Sequence, residues 1–256
     1  MLFDSDNFDA LLQTSSIGRN FDHHQFVSST MDIARERSIS GCPHGTLILA
    51  EAQSAGRGRK GRSFYSPDSG NLYFSLVLRL SKEAHSQLPV ILPLSVVKAC
   101  FSSNVETSIK WPNDIFIGDR KVAGMIVDAE ISKDVRVALV GIGINVNGEP
   151  SENPELRDSA ISLKQFLGVT VQRERLLADF CNFLEQDLKT SSSELRKEYR
   201  NHSLLLGRSV YVQEKNKIYE ATVVDIAEDG GLMVRIPDEK NLRKLIAAEV
   251  SIRSNF

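Results

Sequence analysis

From Gly207 onward apolar and polar residues alternate, whereas upstream the apolar positions come in short runs or at helical spacing, and that change of period divides the chain. Upstream, residues 46–53 (TLILAEAQ) and 71–79 (NLYFSLVLR) are apolar runs of strand length bounded by glycine and polar breakers, which predicts two strands. A short strand is expected at Gln25-Phe26-Val27, then a helix capped by Ser29 or Thr30 and closed near Ile39 by Gly41 and Pro43. Residues 89–104 are apolar at helical spacing, with Pro93 standing against an uninterrupted helix. Strands follow at 121–131 and 136–147, with Trp111-Pro112-Asn113-Asp114 as a turn before them. Leu176, Leu177, Phe180, Phe183, Leu184 and Leu188 place an amphipathic helix within 172–199, broken near Ser191-Ser192-Ser193. The alternating tail, at 209–213, 219–226, 231–235 and 244–252, predicts a compact all-β barrel. Residues 1–20 are polar with scattered Leu and Phe and carry no clear period.

Composition narrows the picture. A chain of 256 residues, 41% hydrophobic and 25% charged, can bury one large core with a small appendage. The net charge of −2 matters more, because a dedicated nucleic-acid binder carries a basic excess; clustered cations here mark a local site. Cys42, Cys100 and Cys181 form no C-x-x-C, which argues for reduced thiols and against zinc. No basic leader opens the chain and no run has the length of a membrane span, so a cytoplasmic protein with no membrane partner is the expectation.

The cations gather at Gly56-Arg57-Gly58-Arg59-Lys60-Gly61-Arg62. A G-x-G-x-x-G reading fails because RSFYSPDSGN, which follows Gly61, is a loop and not a helix; no Walker A pattern is present. The glycines let backbone N–H groups approach an anion, the arginines offer planar forks and Lys60 a point charge. A solvated basic loop and an RNA-binding loop remain the alternatives. Lys110-Trp111-Pro112-Asn113-Asp114 joins a cation to a rigid turn, and Gly141-Ile142-Gly143-Ile144-Asn145 places glycines in a strand, where a ligand or a backbone must pass close. Lys121 in Lys121-Val122-Ala123-Gly124-Met125 reads first as an exposed lysine beside a packing glycine, and His23-His24 as surface; no metal ligands are assigned.

Taken in order, Ser29-Thr30, E-x-Q-x-A-G-R-G-R-x-G-R, S-P-x-x-G-N-L-Y-x-S, K-W-P-N-D, K-x-A-G and G-I-G-I-N resemble the biotin–protein ligases, also called biotin–acetyl-CoA-carboxylase ligases, in the short form without a DNA-binding domain. The resemblance implies an α/β (α+β) fold: a mixed-sheet, class II aminoacyl-tRNA-synthetase-like catalytic domain over 1–203 and a small SH3-like β-barrel over 204–256. It implies that biotin and MgATP give biotinyl-5′-AMP and pyrophosphate, and that biotin then passes to one lysine of a biotin carrier protein, with no DNA partner. Homodimers occur among such proteins, and nothing in this chain selects that state.

Carried over by position, Ser29, Thr30, Gln53, Gly56, Arg57 and Lys110 match biotin-binding positions. Arg57, Arg59 and Lys110 match catalytic ones. Arg59, Lys60, Arg62, Phe64, Gly124, Asn145 and Arg253 match the ATP and adenylate site. The chain departs from the family's common Asp-Ser-Thr-Asn at Ser28-Ser29-Thr30-Met31, and Phe64 stands where a Trp is frequent. A lipoate–protein ligase is the nearest alternative enzyme, and a nucleic-acid module using 56–62 the alternative from another class.

Overall fold

The computed structural model describes residues 2–68, 70–131, 136–214, 217–237, 239–246 and 248–252. Within them a seven-stranded sheet joins β1 (Phe21–Val27), β2 (Thr46–Gln53), β3 (Leu72–Leu80), β4 (Ser108–Lys110), β5 (Asp114–Ile117), β6 (Arg120–Ile131) and β7 (Arg136–Ile144). The order is β1-β2-β3-β7-β6-β5-β4, with β1 parallel to β2 and the other neighbours antiparallel. Strands β4 and β5, three and four residues long, flank the 111–113 turn and are too short to leave a period in the sequence.

The helices are α1 (Ser5–Leu11), α2 (Thr30–Ile39), α3 (Lys82–Ser102), α4 (Leu163–Leu167), α5 (Arg173–Asp187) and α6 (Ser192–His202). Strand alternation decides what each face of the sheet meets. Leu72, Phe74, Leu76 and Leu78 of β3 and Ala138, Val140, Ile142 and Ile144 of β7 enter the large core with α3 and α5. Val77 and Leu139 point the other way, into a smaller core with Met31 and Ala34 of α2. The same alternation puts Gly141 and Gly143 on the α2 face.

Helix α3 begins seven residues before the expected start at Pro89, because Ser81 accepts the Ala84 N–H and its polar first turns carry no apolar signal. It also runs straight through Pro89 and Pro93. An interior proline costs roughly 3 kcal/mol. Leu88, Val90, Ile91, Leu92, Leu94 and Val96 are buried to 2% exposure or less, and each such side chain contributes about 1.5–3 kcal/mol, so burial wins. At 21 residues α3 is long and apolar enough by composition to cross a membrane, contrary to the sequence expectation, yet 61% of its most apolar window is buried within the protein.

Helices α5 and α6 are separated where expected, Ser191 capping α6. The second sheet contains β8 (Ser209–Glu214), β9 (Lys217–Ile226), β10 (Leu232–Arg235), β11 (Arg243–Leu245) and β12 (Glu249–Ile252), in the order β11-β10-β9-β8-β12 and antiparallel throughout. The single strand expected at 244–252 is two, because β11 pairs with β10 at one edge and β12 with β8 at the other, and the chain between them must cross. The sheets are tied by Trp111, whose indole N–H donates to the Gly230 carbonyl at 2.8 Å. Gly230 has φ +77°, and a Cβ there would lie 2.6 Å from Pro89, so the contact requires glycine.

Candidate active site

A cavity of about 700 Å³ opens on the α2 face of the large sheet. Its floor is made of glycines. Gly124 of β6 and Gly143 of β7 are cross-strand partners, and Gly141 pairs with Ile126 beside them. A Cβ at Gly143 would stand 2.4 Å from the Phe64 ring, one at Gly141 2.9 Å from the Met31 sulfur, and one at Gly124 2.7 Å from Lys121 Nζ. Glycines inside a strand weaken it unless something must come close, and here three side chains do.

The roof is a tongue formed by residues 56–64. Arg57 bridges Ser63, the Gly58 N–H donates to the Arg62 carbonyl at 2.7 Å, and the Phe64 N–H to the Gly56 carbonyl at 2.8 Å. Lys60 at φ 56° and Gly61 at φ 74° turn its tip in the left-handed region. At Gly56 a Cβ would meet the Phe64 carbonyl at 2.4 Å, which fixes glycine at the root. Arg59 Nη1 reaches across to Asn113 Oδ1 at 3.1 Å, and Asn113 Nδ2 donates to the Met125 carbonyl at 2.6 Å, joining tongue, turn and floor.

One wall is the start of α2. The Gln53 Oε1 accepts the Thr30 N–H at 2.9 Å and its hydroxyl at 3.2 Å, while Gln53 Nε2 donates to Ser66 Oγ at 3.0 Å. Thr30 Oγ1 also meets Ser75 Oγ at 2.7 Å, and the Ser29 hydroxyl caps the helix by accepting the Met31 N–H at 3.3 Å. The opposite wall includes Tyr211, Gln213, Ile218 and Val250 from the second sheet.

Among the described residues six cations line the cavity, Arg57, Arg59, Lys60, Arg62, Lys110 and Lys121, against one carboxylate, Asp114. That imbalance, in a chain of net charge −2, makes the hollow a site for a polyanion. Lys121 Nζ lies 2.7 Å from Asp114 Oδ1 and 5.9 Å from the Phe64 ring centre; Lys110 Nζ lies 4.9 Å from the Phe116 ring. Ser29, Thr30, Gln53, Arg57, Arg59, Lys60, Arg62, Phe64, Lys110 and Gly124 thus converge on one cavity. Gly56 supports it from the root of the tongue and borders a second hollow of about 900 Å³ behind. Asn145 is not among the lining residues: its N–H donates to the Val122 carbonyl and its carbonyl accepts from Leu163, closing the end of β7. Arg253 lies outside the described residues.

Lys121, read from the sequence first as an exposed lysine beside a packing glycine, lines the cavity. The signal was its spacing to Gly124, since a side chain can fold back over a strand only where no Cβ stands. The departures also find places. Met31 packs on Gly141, and the Ser28 hydroxyl reaches Asp32 Oδ2 at 3.4 Å. His23, read as surface, is 16% exposed and its Nε2 meets Glu51 Oε1 at 3.0 Å.

Comparison with known proteins agrees with this geometry. Residues 24–145 match the biotin/lipoate A/B protein ligase family, and residues 205–253 match the biotin protein ligase C terminal domain. The chain is 29% identical over 250 residues to the bifunctional ligase/repressor BirA of Bacillus subtilis, covering 94% of this chain and 76% of that one. It is 28% identical over 216 residues to the biotin–[acetyl-CoA-carboxylase] ligase of Mycobacterium tuberculosis, covering 80% and 79%. Its fold superposes on the biotin protein ligase of Aquifex aeolicus, solved with biotin and ATP, with a TM-score of 0.76 and 31% identity over 93% of this chain and all of that one. With both parts of the chain matched and a full-length structural relative at this identity, the protein belongs to the biotin protein ligase family.

Proposed function

We propose that the protein joins biotin to ATP, forming biotinyl-5′-AMP and pyrophosphate, and then transfers the biotinyl group to a lysine of a carboxylase's biotin carrier. The observation that carries this is the cavity itself: a glycine floor on which Phe64, Met31 and Lys121 pack close to the sheet, under a tongue that supplies four of six lining cations.

In the first step a biotin carboxylate oxygen attacks the α-phosphorus, the bond to the β-phosphate oxygen breaks, and pyrophosphate leaves with the electron pair. No base is needed, since an alkyl carboxylic acid of pKa about 4.3 is ionised at neutral pH. The barrier is repulsion: two unit charges 4 Å apart oppose each other by about 4 kcal/mol at an effective dielectric of 20. Arg57, Lys110 and Lys121 are placed to offset it at the reacting oxygens, and Arg59, Lys60 and Arg62 to hold the phosphates. Ser29, Thr30 and Gln53 form the polar end for biotin's head group, and Phe64 is the ring against which a base would stack. Asn145 acts in this reading by supporting the end of β7 through its backbone bonds to Val122 and Leu163. Mg²⁺ enters this reading with the nucleotide substrate.

In the second step the carrier lysine's neutral amine attacks the acyl carbon, AMP leaves, and the amine loses a proton. A lysine of pKa about 10.4 is neutral in roughly one molecule per thousand at pH 7.4, so the mixed anhydride must supply the driving force. The catalytic domain is proposed to end near 203, between α6 and β8, with a class II synthetase-like sheet before that point and an SH3-like barrel after it; the antiparallel five-strand order supports the latter. Buried Cys100 and Cys181, burial pushing both thiols up and Cys100 to about 12, suit a cytoplasmic setting.

Incubation with ATP and either biotin or lipoate separates this reading from lipoate ligation. Biotin-dependent formation of pyrophosphate and an acyl adenylate is expected; lipoate-dependent formation with biotin inert would overturn it.

A further inference from the structure

The tongue is tied at its root to a carboxylate that does not line the cavity. Arg57 Nη2 donates to Asp32 Oδ1 at 2.5 Å, and the Ser28 hydroxyl donates to the other carboxylate oxygen at 3.4 Å. The backbone brings these groups together. The Ser54 N–H donates to the Val27 carbonyl at 3.0 Å and the Ala55 N–H to the Ser28 carbonyl at 2.8 Å, so Arg57 emerges beside the first turn of α2. Beyond Gly56 the tongue's backbone pairs with itself, and its side chains reach out to the rest of the site, Arg57 to Asp32 at the root and Arg59 to Asn113 beside the tip.

We infer that Asp32 is a positioning residue for the reaction, orienting the Arg57 fork and the root of the tongue without touching substrate. The inference rests on the biotin ligase reading. Four cations within seven residues repel one another, and a counter-charge is needed that does not sit among the substrate's own negative charges. Asp32 meets both conditions, since it lies outside the lining while Arg57 lies within it. Its place in the first turn of α2 further favours a carboxylate. The pair is partly exposed, Arg57 47% and Asp32 35%, so it adds little to folding. Its effect falls on geometry, where a small misplacement of a binding group costs rate.

The test compares Asp32→Asn, Asp32→Glu, Arg57→Ala and the Asp32→Asn/Arg57→Ala double variant by trypsin cleavage within 57–62, thermal midpoint, and kcat/KM for biotin in adenylate formation. Asp32→Asn is expected to speed cleavage several-fold, leave the midpoint unchanged and lower kcat/KM about tenfold, with Asp32→Glu recovering most of the loss. In the Arg57→Ala background the Asn substitution should add nothing. Equal losses in both backgrounds, or unchanged cleavage, would overturn the inference. A wild-type chain that makes no biotinyl adenylate would sink the ligase reading by itself, and cleavage of the tongue would still decide the anchoring.

Discussion

Arg59 enters the cavity from the roof and Lys121 from the floor, and their surroundings set different expectations for removing each. Arg59 holds Asn113 from a loop that contributes nothing to either core. Arg59→Ala should slow adenylate formation by about 100-fold, the usual effect of losing one preorganised donor. The melting temperature should stay within about 2 °C, and a larger fall would count against the assignment. Lys121→Ala and Lys110→Ala should each nearly abolish adenylate formation; the one that leaves the rate intact is not in the mechanism. Gly143→Ala drives a methyl into the Phe64 ring and should raise the KM for ATP about tenfold, with the penalty relieved in a Phe64→Ala background. The tongue's cations were legible because charge packed that densely has few structural uses. Lys121 was legible only in part: its spacing to Gly124 shows in the sequence, but that the pair faces the cavity follows from the register of β6 with β7.

At the scale of elements, the N-terminal segment is held by two carboxylates far away in the chain. Glu185 of α5 accepts the N–H groups of Ser15, Ser16 and Ile17 at 2.8–3.1 Å and both serine hydroxyls. Glu51 of β2 accepts the Phe3 N–H at 3.0 Å and pairs with Arg173 at 2.6 Å, both side chains nearly fully buried. Burial pushes each carboxyl up, but these donors, with the His23 hydrogen bond foremost on Glu51, outweigh it and hold both at about 2, below the ordinary 4.5. A carboxyl depressed on folding stabilises fully above its unfolded pKa, and that contribution is lost as pH falls from about 4.5 toward 2. Each is worth on the order of 2 kcal/mol after solvent screening. Glu185→Gln should therefore melt below wild type at pH 7, with the gap closing as the solution is acidified through that window; a gap independent of pH would contradict the clamp. Helix α1 escaped sequence reading for the same reason. Seven residues long with one fully buried side chain, Phe8, it is stabilised by α5 and not by its own pattern. The long apolar strands β2, β3 and β6 needed no such partner and were legible to within a residue, whereas β7 ends at Ile144, three residues before the expected end, and the polar β1 begins at Phe21, four residues before its expected start.

For the molecule as a whole, both sheets contribute to one cavity, and the Trp111–Gly230 bond joins them beside the apolar core that they share. Trp111→Phe keeps most of the buried area but strands the Gly230 carbonyl, and should cost about 1–3 kcal/mol. It should also weaken biotin and ATP binding together, measured by calorimetry; an effect on stability alone would make the joint merely structural. The central claim, that this cavity activates biotin and hands it to a protein lysine, is tested most directly by incubating the protein with ATP, biotin and a biotin carrier domain and weighing the carrier by mass spectrometry. The account predicts a mass increase of one biotinyl group on a single lysine, dependent on ATP and accompanied by AMP and pyrophosphate. An unmodified carrier, or modification that proceeds without ATP, would contradict it.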